Sequence, residues 1–163
     1  MVSRNVIPTY DAKVMLPDLA GTYALILKLP HTAAITVGRL GRFQFPRGWY
    51  VYVGSARGPG GLAARVSRHL RSSKPLHWHV DYLRTAAWPV EVWYAVGGQK
   101  RECAWACAMV GLSGASIPAP RFGASDCRCP AHLTHFAALP DVRSFARAVG
   151  ERVSSEPITG NVE

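Results

Sequence analysis

Apolar and polar residues fall into short blocks along the chain, and the period changes from block to block. Gly21–Leu29 (GTYALILKL) is a compact apolar run closed by Pro30, the pattern of a buried strand. Ala34–Gly38 is a second strand, expected to pair with the first as a hairpin across Pro30, His31 and Thr32. RFQF and GWYVYVGS follow, separated by the turn signal PRG; in the latter, Trp49, Val51 and Val53 alternate with Tyr50 and Tyr52. A helix is expected from about Gly61, with Leu62, Val66 and Leu70 as an apolar stripe and Ala63 beside it. Arg65 and His69 stand one above the other at the rim of that stripe, while Arg68 and Arg71 point to water. Pro75 opens a second helix, PLHWHVDYLRTAA. Val90–Gly97 is a strand, and QKRECAWACAMVGL is a helix so apolar all round that it is expected to be buried. The Gly- and Pro-rich stretch from Gly114 to Phe136 is expected to be irregular, DVRSFARAVGERV to be a C-terminal helix, and the tail after Ser154 to be mobile.

These elements predict an α/β or α+β layer fold around a small, largely antiparallel sheet. Residues 1–18 are expected to be a flexible segment, 19–140 the domain, and 141–163 a helix with a mobile tail. A chain of 163 residues with 48% hydrophobic content suits one core. No apolar run approaches the roughly 20 residues that cross a bilayer, and no signal-peptide pattern stands at Met1, so the expectation is a cytoplasmic protein with reduced cysteines and no membrane partner.

Charge sharpens the picture. The net charge is +9, and no Asp or Glu occurs between Leu19 and Val80. That stretch holds Lys28, Arg39, Arg42, Arg47, Arg57, Arg65, Arg68, Arg71 and Lys74. A one-signed field of this kind favours a polyanion, and arginine's planar fork matches phosphate. Arg39, Arg42, Arg57, Arg68, Arg71 and Lys74 are the candidates for contact with DNA; a solubilising basic surface is the alternative.

Glu102 is the sharpest local anomaly, a carboxylate amid Trp105, Ala106, Met109 and Val110. An arginine, a metal ion, or a place in the first helical turn would compensate it. The loop GSARGPGG feeds a helix N-terminus and could present amides to a phosphate, but it lacks the Gly-Lys-Ser/Thr of a P-loop. Cys103, Cys107, Cys127 and Cys129 could form a structural zinc site, or three of them with a histidine such as His132 or His135; buried thiols are the alternative. His77 and His79 diverge on a helix, which favours packing and a His77–Asp81 hydrogen bond over a metal pair.

Gly21-Thr22-Tyr23, then Tyr52-Val53-Gly54, then a helix with Arg65 and His69, then Glu102 on a later helix form an ordered set that resembles the GIY-YIG nuclease superfamily. YVYVGSA, GPGGL, LHWHVDYL, EC and FGASDCRCPAHL resemble, more narrowly, a prokaryotic branch whose domains are sometimes fused to endonuclease III. The resemblance covers about Gly21 to Phe136. It implies a three-stranded antiparallel core sheet flanked by helices, and a metal-dependent endonuclease that hydrolyses DNA phosphodiester bonds, single- or double-stranded, in repair or uptake, with association to a DNA repair enzyme. Tyr23 and Tyr52 would position or deprotonate the attacking water, Glu102 would bind Mg²⁺ or Mn²⁺, Arg65 would stabilise phosphoryl charge, and His69 would assist. Ser125, Asp126 and His132 are the candidates for the place of the asparagine that many members carry after the glutamate. A non-catalytic nucleic-acid-binding module on the same fold and a zinc-stabilised interaction domain are the other readings.

Overall fold

A computed structural model describes residues 12–160. Its strands are β1 (Ala12–Lys13), β2 (Gly21–Leu29), β3 (Ala33–Val37), β4 (Gly41–Phe45), β5 (Gly48–Ala56), β6 (Trp88–Val96), β7 (Leu133–Phe136), β8 (Ser154–Pro157) and β9 (Thr159–Gly160). Its helices are α1 (Gly61–Leu70), α2 (His79–Leu83), α3 (Glu102–Val110) and α4 (Val142–Val149). The architecture is α+β. The main sheet is antiparallel throughout and has five strands, in the order β7-β5-β2-β6-β8.

Two expectations about the sheet are corrected. It has five strands rather than three, because its edges are built from segments with no strand signal. β7 is four residues inside the Gly- and Pro-rich stretch, and β8 reads Ser-Ser-Glu-Pro, pairing with β6 through its backbone at the sheet margin. The second correction concerns β3, which pairs with β4 in a separate two-stranded ribbon and not with β2. The partners of β2 are β5 and β6, so a full nine-residue apolar strand lies buried at the centre.

Within the described residues, segments near both ends are paired where mobility was expected; residues 161–163 of the tail lie outside the described residues. β1 pairs with β9, and residues 17–19 cross the start of α1. The part of the flexible segment before residue 12 lies outside the described residues. The folded unit therefore runs past both boundaries, 19 and 140.

Alternation along the strands gives the sheet two cores. Tyr23, Leu25, Tyr50 and Tyr52 share one face with Leu62 and Val66 of α1 and Val80 of α2. Ala24, Ile26, Val51, Val53 and Trp93 share the other with Trp105 and Met109 of α3 and Phe145 of α4. Helix α3 buries only that side; Cys103, Ala104 and Cys107 are exposed, which corrects the expectation of a wholly buried helix. Among the described residues no helix is long and apolar enough to cross a membrane.

Two glycines set how closely α1 approaches the sheet. Gly61 has φ +55°, and a Cβ there would collide with the Leu19 backbone, whose carbonyl accepts the Leu62 amide at 2.9 Å. Gly54 faces Tyr23 across the strand pair, and a Cβ there would overlap the Tyr23 hydroxyl. Gly54→Ala is expected to cost about 1–3 kcal/mol of stability through this overpacking, whereas Gly58→Ala, with nothing within 4 Å, costs far less. Urea midpoints of the two variants check this; equal losses would contradict it.

Candidate active site

The strand β5 carries the site to an open edge. β7 begins opposite Tyr52, and the last backbone tie on that side joins the Val53 amide to His132 O at 2.9 Å. Beyond it a cavity of about 430 Å³ opens, lined by Tyr52, Gly54, Ser55, Arg57, Arg65, Trp78, Glu102, Gly123 and Asp126, among others. Tyr52 comes from one face of the sheet and Ser55 from the other. Groups from both layers meet there because the cavity lies past the sheet margin. The structure thus brings together Tyr52, Arg57, Arg65 and Glu102, which the sequence placed on β5, its following loop, α1 and α3.

Glu102 opens α3 and is partly exposed, so it is not embedded in the apolar face; Trp105, Ala106 and Met109 turn to the core behind it. Ser55 Oγ donates to its Oε2 at 2.9 Å, and His132 Nδ1 lies 2.9 Å from Oε1, an ion-pair distance without the alignment of a full hydrogen bond. Burial alone would raise its pKa; His132, Ser55 and Arg57 outweigh that and hold it below the usual carboxylate value. Glu102 is therefore ionised at neutral pH, and each oxygen keeps a lone pair beyond the one engaged. This one carboxylate faces the cavity together with the guanidinium groups of Arg57 and Arg65. Ser125 and Asp126 also line the cavity, whereas His132 serves Glu102.

Tyr23 and His69 lie behind the cavity, not in it. Both are fully buried, and the Tyr23 hydroxyl meets His69 Nε2 at 2.6 Å. His69 was expected at the rim of the core; instead its ring is packed among Tyr23, Tyr52 and Trp78 at centroid distances of 5.6, 5.9 and 6.0 Å. Burial, then Lys74, push its pKa down to about 3, so the ring is neutral. Burial also raises the pKa of Tyr23 and Tyr52, so both stay phenols, with Arg65 opposing the shift. No protein partner holds the Tyr52 hydroxyl among the described residues.

The basic candidates divide. Arg39, Arg42, Arg57 and Arg71 are exposed, the first two on the β3–β4 ribbon away from the cavity lining. Arg68 and Lys74 are tied into the fold. Arg68 donates both guanidinium nitrogens to Asp81 at 3.3–3.4 Å. Lys74, its side chain 7% exposed, lies 3.7 Å from the same carboxylate and donates to His69 O at 2.6 Å. The amides of Trp78 and His77 also donate to Asp81, at 2.8 and 2.9 Å. The expected His77–Asp81 bond is thus made by the backbone, and this capping starts α2 at His79 instead of Pro75. Burial would raise the Asp81 pKa, but these donors hold it below the usual range. Trp78, so fixed, carries the Arg65 guanidinium over its ring at 4.4 Å. Sequence reasoning missed Trp78 as the platform of Arg65 and Ser55 as a partner of Glu102. Parity could have found Ser55, since it opposes Tyr52 and Gly54 on β5.

The phosphate-cradle reading of the GSARGPGG loop is also corrected. The first amides of α1, from Gly61 to Ala64, donate to the carbonyls of Gly58, Leu19, Pro17 and Gly60. None is left for a phosphate.

The cysteines are free. Cys103 of α3 and Cys127, Cys129 and His132 of the irregular stretch bring their ligand atoms within 4.8 Å of one another, an arrangement able to hold a metal ion. Cys107 is exposed and outside the group, so His132 stands where Cys107 was expected.

The neutral buried His69 gives a pH signature. Its folded-state pKa lies below the ordinary 6.5, so the stability it supports is complete above that pH and is lost as pH falls towards about 3. The stability gap between wild type and His69→Gln is expected to be flat above pH 6.5 and to shrink below it, by about 1.4 kcal/mol per pH unit at most. Urea unfolding from pH 8 to pH 4, roughly, measures this; a gap that stays constant would contradict it.

No curated protein and no solved structure matches this chain. The model of one family, described as "Domain of unknown function DUF123", matches residues 22–155, a span that contains β2 from Thr22 onward, β3 to β7, all four helices and the whole cavity lining. The chain belongs to the DUF123 family.

Proposed function

We propose that the chain is a divalent-metal-dependent endonuclease of the GIY-YIG type that hydrolyses DNA phosphodiester bonds. The observation that carries this reading is the convergence of Tyr52, Arg65 and Glu102, from three separate elements, on one cavity.

Glu102 holds the ion, Mg²⁺ or Mn²⁺, with its oxygens oriented by Ser55 and His132. An ion held there would supply a water of lowered pKa and would neutralise charge on a phosphoryl oxygen. Arg65, aimed from the Trp78 ring, stabilises the charge that develops on the phosphate. The Tyr52 hydroxyl, without a protein partner among the described residues, orients the attacking water. Tyr23 and His69 act one layer back. Neutral His69 keeps the Tyr23 hydroxyl engaged and packs edge-on against Tyr52, which fixes that ring. They are positioning residues, a revision of the catalytic role expected of them. Arg57 and Arg71 offer exposed charge for the DNA backbone.

Labelled single- and double-stranded DNA incubated with Mg²⁺ or Mn²⁺ tests the reading. Cleavage is expected with metal and not with chelator. Glu102→Ala and Arg65→Ala are expected to lose about 10²–10³-fold in rate, comparable to removing an electrostatic stabiliser. Tyr52→Phe is expected to lose about 10²-fold or more, and Tyr23→Phe about tenfold. A wild type that binds DNA in a salt-dependent manner but never cuts it would replace this reading with that of a binding module.

A further inference from the structure

The Cys103, Cys127, Cys129 and His132 group lies next to Glu102 but shares no residue with the cavity lining. We propose that it is a closed structural zinc site of the Cys₃His type, with His132 coordinating through Nε2. Tetrahedral zinc with thiolate and imidazole ligands requires ligand atoms about 3.5–3.8 Å apart. Cys127 Sγ and His132 Nε2 already lie 3.3 Å apart, and all four ligand atoms fit within 4.8 Å, so an ion closes the group by small side-chain movements. Three sulfurs and one nitrogen select a borderline-soft ion over magnesium.

The surroundings are built for it. Arg121, at the unusual φ of +69°, donates to Cys129 O at 2.7 Å and to Cys127 O at 2.6 Å, clamping the turn that carries both thiols. Phe122 O accepts the His132 amide at 2.7 Å, which closes the stretch from Arg121 to His132 into a compact knuckle. The three thiols and His132 thus converge on one small space, their ligand atoms within 4.8 Å of one another.

His132 has two nitrogens and two duties. Coordination through Nε2 leaves the proton on Nδ1, the atom 2.9 Å from Glu102 Oε1. A carboxylate, a histidine and zinc then stand in a row, the arrangement in which a carboxylate fixes the tautomer and angle of a ligating imidazole. Here the row also joins Cys103 at the start of α3 to the loop of Gly123 and Asp126, so zinc sets the width of the cavity on the Glu102 side.

Full-length protein purified without chelator from zinc-supplemented cells is expected to hold one zinc per chain by elemental analysis. X-ray absorption is expected to count three sulfurs and one nitrogen around it. Cys127→Ser and Cys129→Ser lose the zinc, Cys107→Ser keeps it, and His132→Cys keeps it with four sulfurs, which shows that the fold tolerates change at this position. A wild type without zinc that also fails, after chelation, to take up cobalt with the absorption of a tetrahedral thiolate site would overturn the proposal. So would a disulfide among these cysteines in the purified chain, or equal loss of zinc from Cys107→Ser and Cys129→Ser. Metal content and sulfur count need no cleavage assay, so this proposal and the nuclease reading fail separately.

Discussion

The hydrogen bond between Tyr23 and His69 is the constraint on which the rest of the structure hangs. It joins the central strand β2 to α1 inside a core where neither group can turn to water. A neutral hydrogen bond of this kind nets only about 1 kcal/mol, but leaving either partner unpaired in the core costs more than the bond returns. Its geometry exists because Gly54 has no side chain on the opposing strand and because Gly61 lets α1 start against the Leu19 backbone. Once α1 is fixed at that height, Arg65, one turn before His69, has only the rim of the cavity to face, and Tyr52 is wedged between His69 and Phe122.

Charge is arranged around two carboxylates with opposite tasks. Asp81 is the buried one, and it is consumed: two amides, Arg68 and Lys74 surround it and weld α1 to the start of α2. Removing one partner from such a cluster typically costs about 3–5 kcal/mol, because the rest are left buried and unbalanced. Glu102 is the accessible one, held ionised with lone pairs to spare. A chain with a net charge of +9 keeps this carboxylate beside Arg57 and Arg65, so the cavity presents both signs of charge.

The sequence was readable where side chains alternate or recur. β2, β5, β6, α1 and α4 all stand close to where the apolar pattern put them, and Tyr52, Arg65 and Glu102 line one cavity. It was unreadable where the backbone or a distant partner decides. β8 is a strand because β6 offers an edge, not because Ser-Ser-Glu-Pro asks to be one. β3 turns away from β2 because β5 and β6 occupy both of its sides. Lys74 and Arg68 looked like solvent charge because Asp81, seven residues beyond Lys74, gives no sign in the sequence that it will be sealed from water. The shift of the ligand set from Cys107 to His132 has the same origin: helix geometry puts Cys103 and Cys107 on one side, but the loop from Arg121 meets only the first turn.

The central claim is that Glu102 holds a divalent ion at the open end of β5. Paramagnetic broadening by substoichiometric Mn²⁺ in the ¹⁵N spectrum, with a short oligonucleotide present, reads this directly. The account expects the amides of Ser55 and Glu102 to vanish first, those of the β3–β4 ribbon to stay sharp, and Glu102→Gln to abolish the effect. Broadening centred elsewhere, or unchanged in Glu102→Gln, would contradict it.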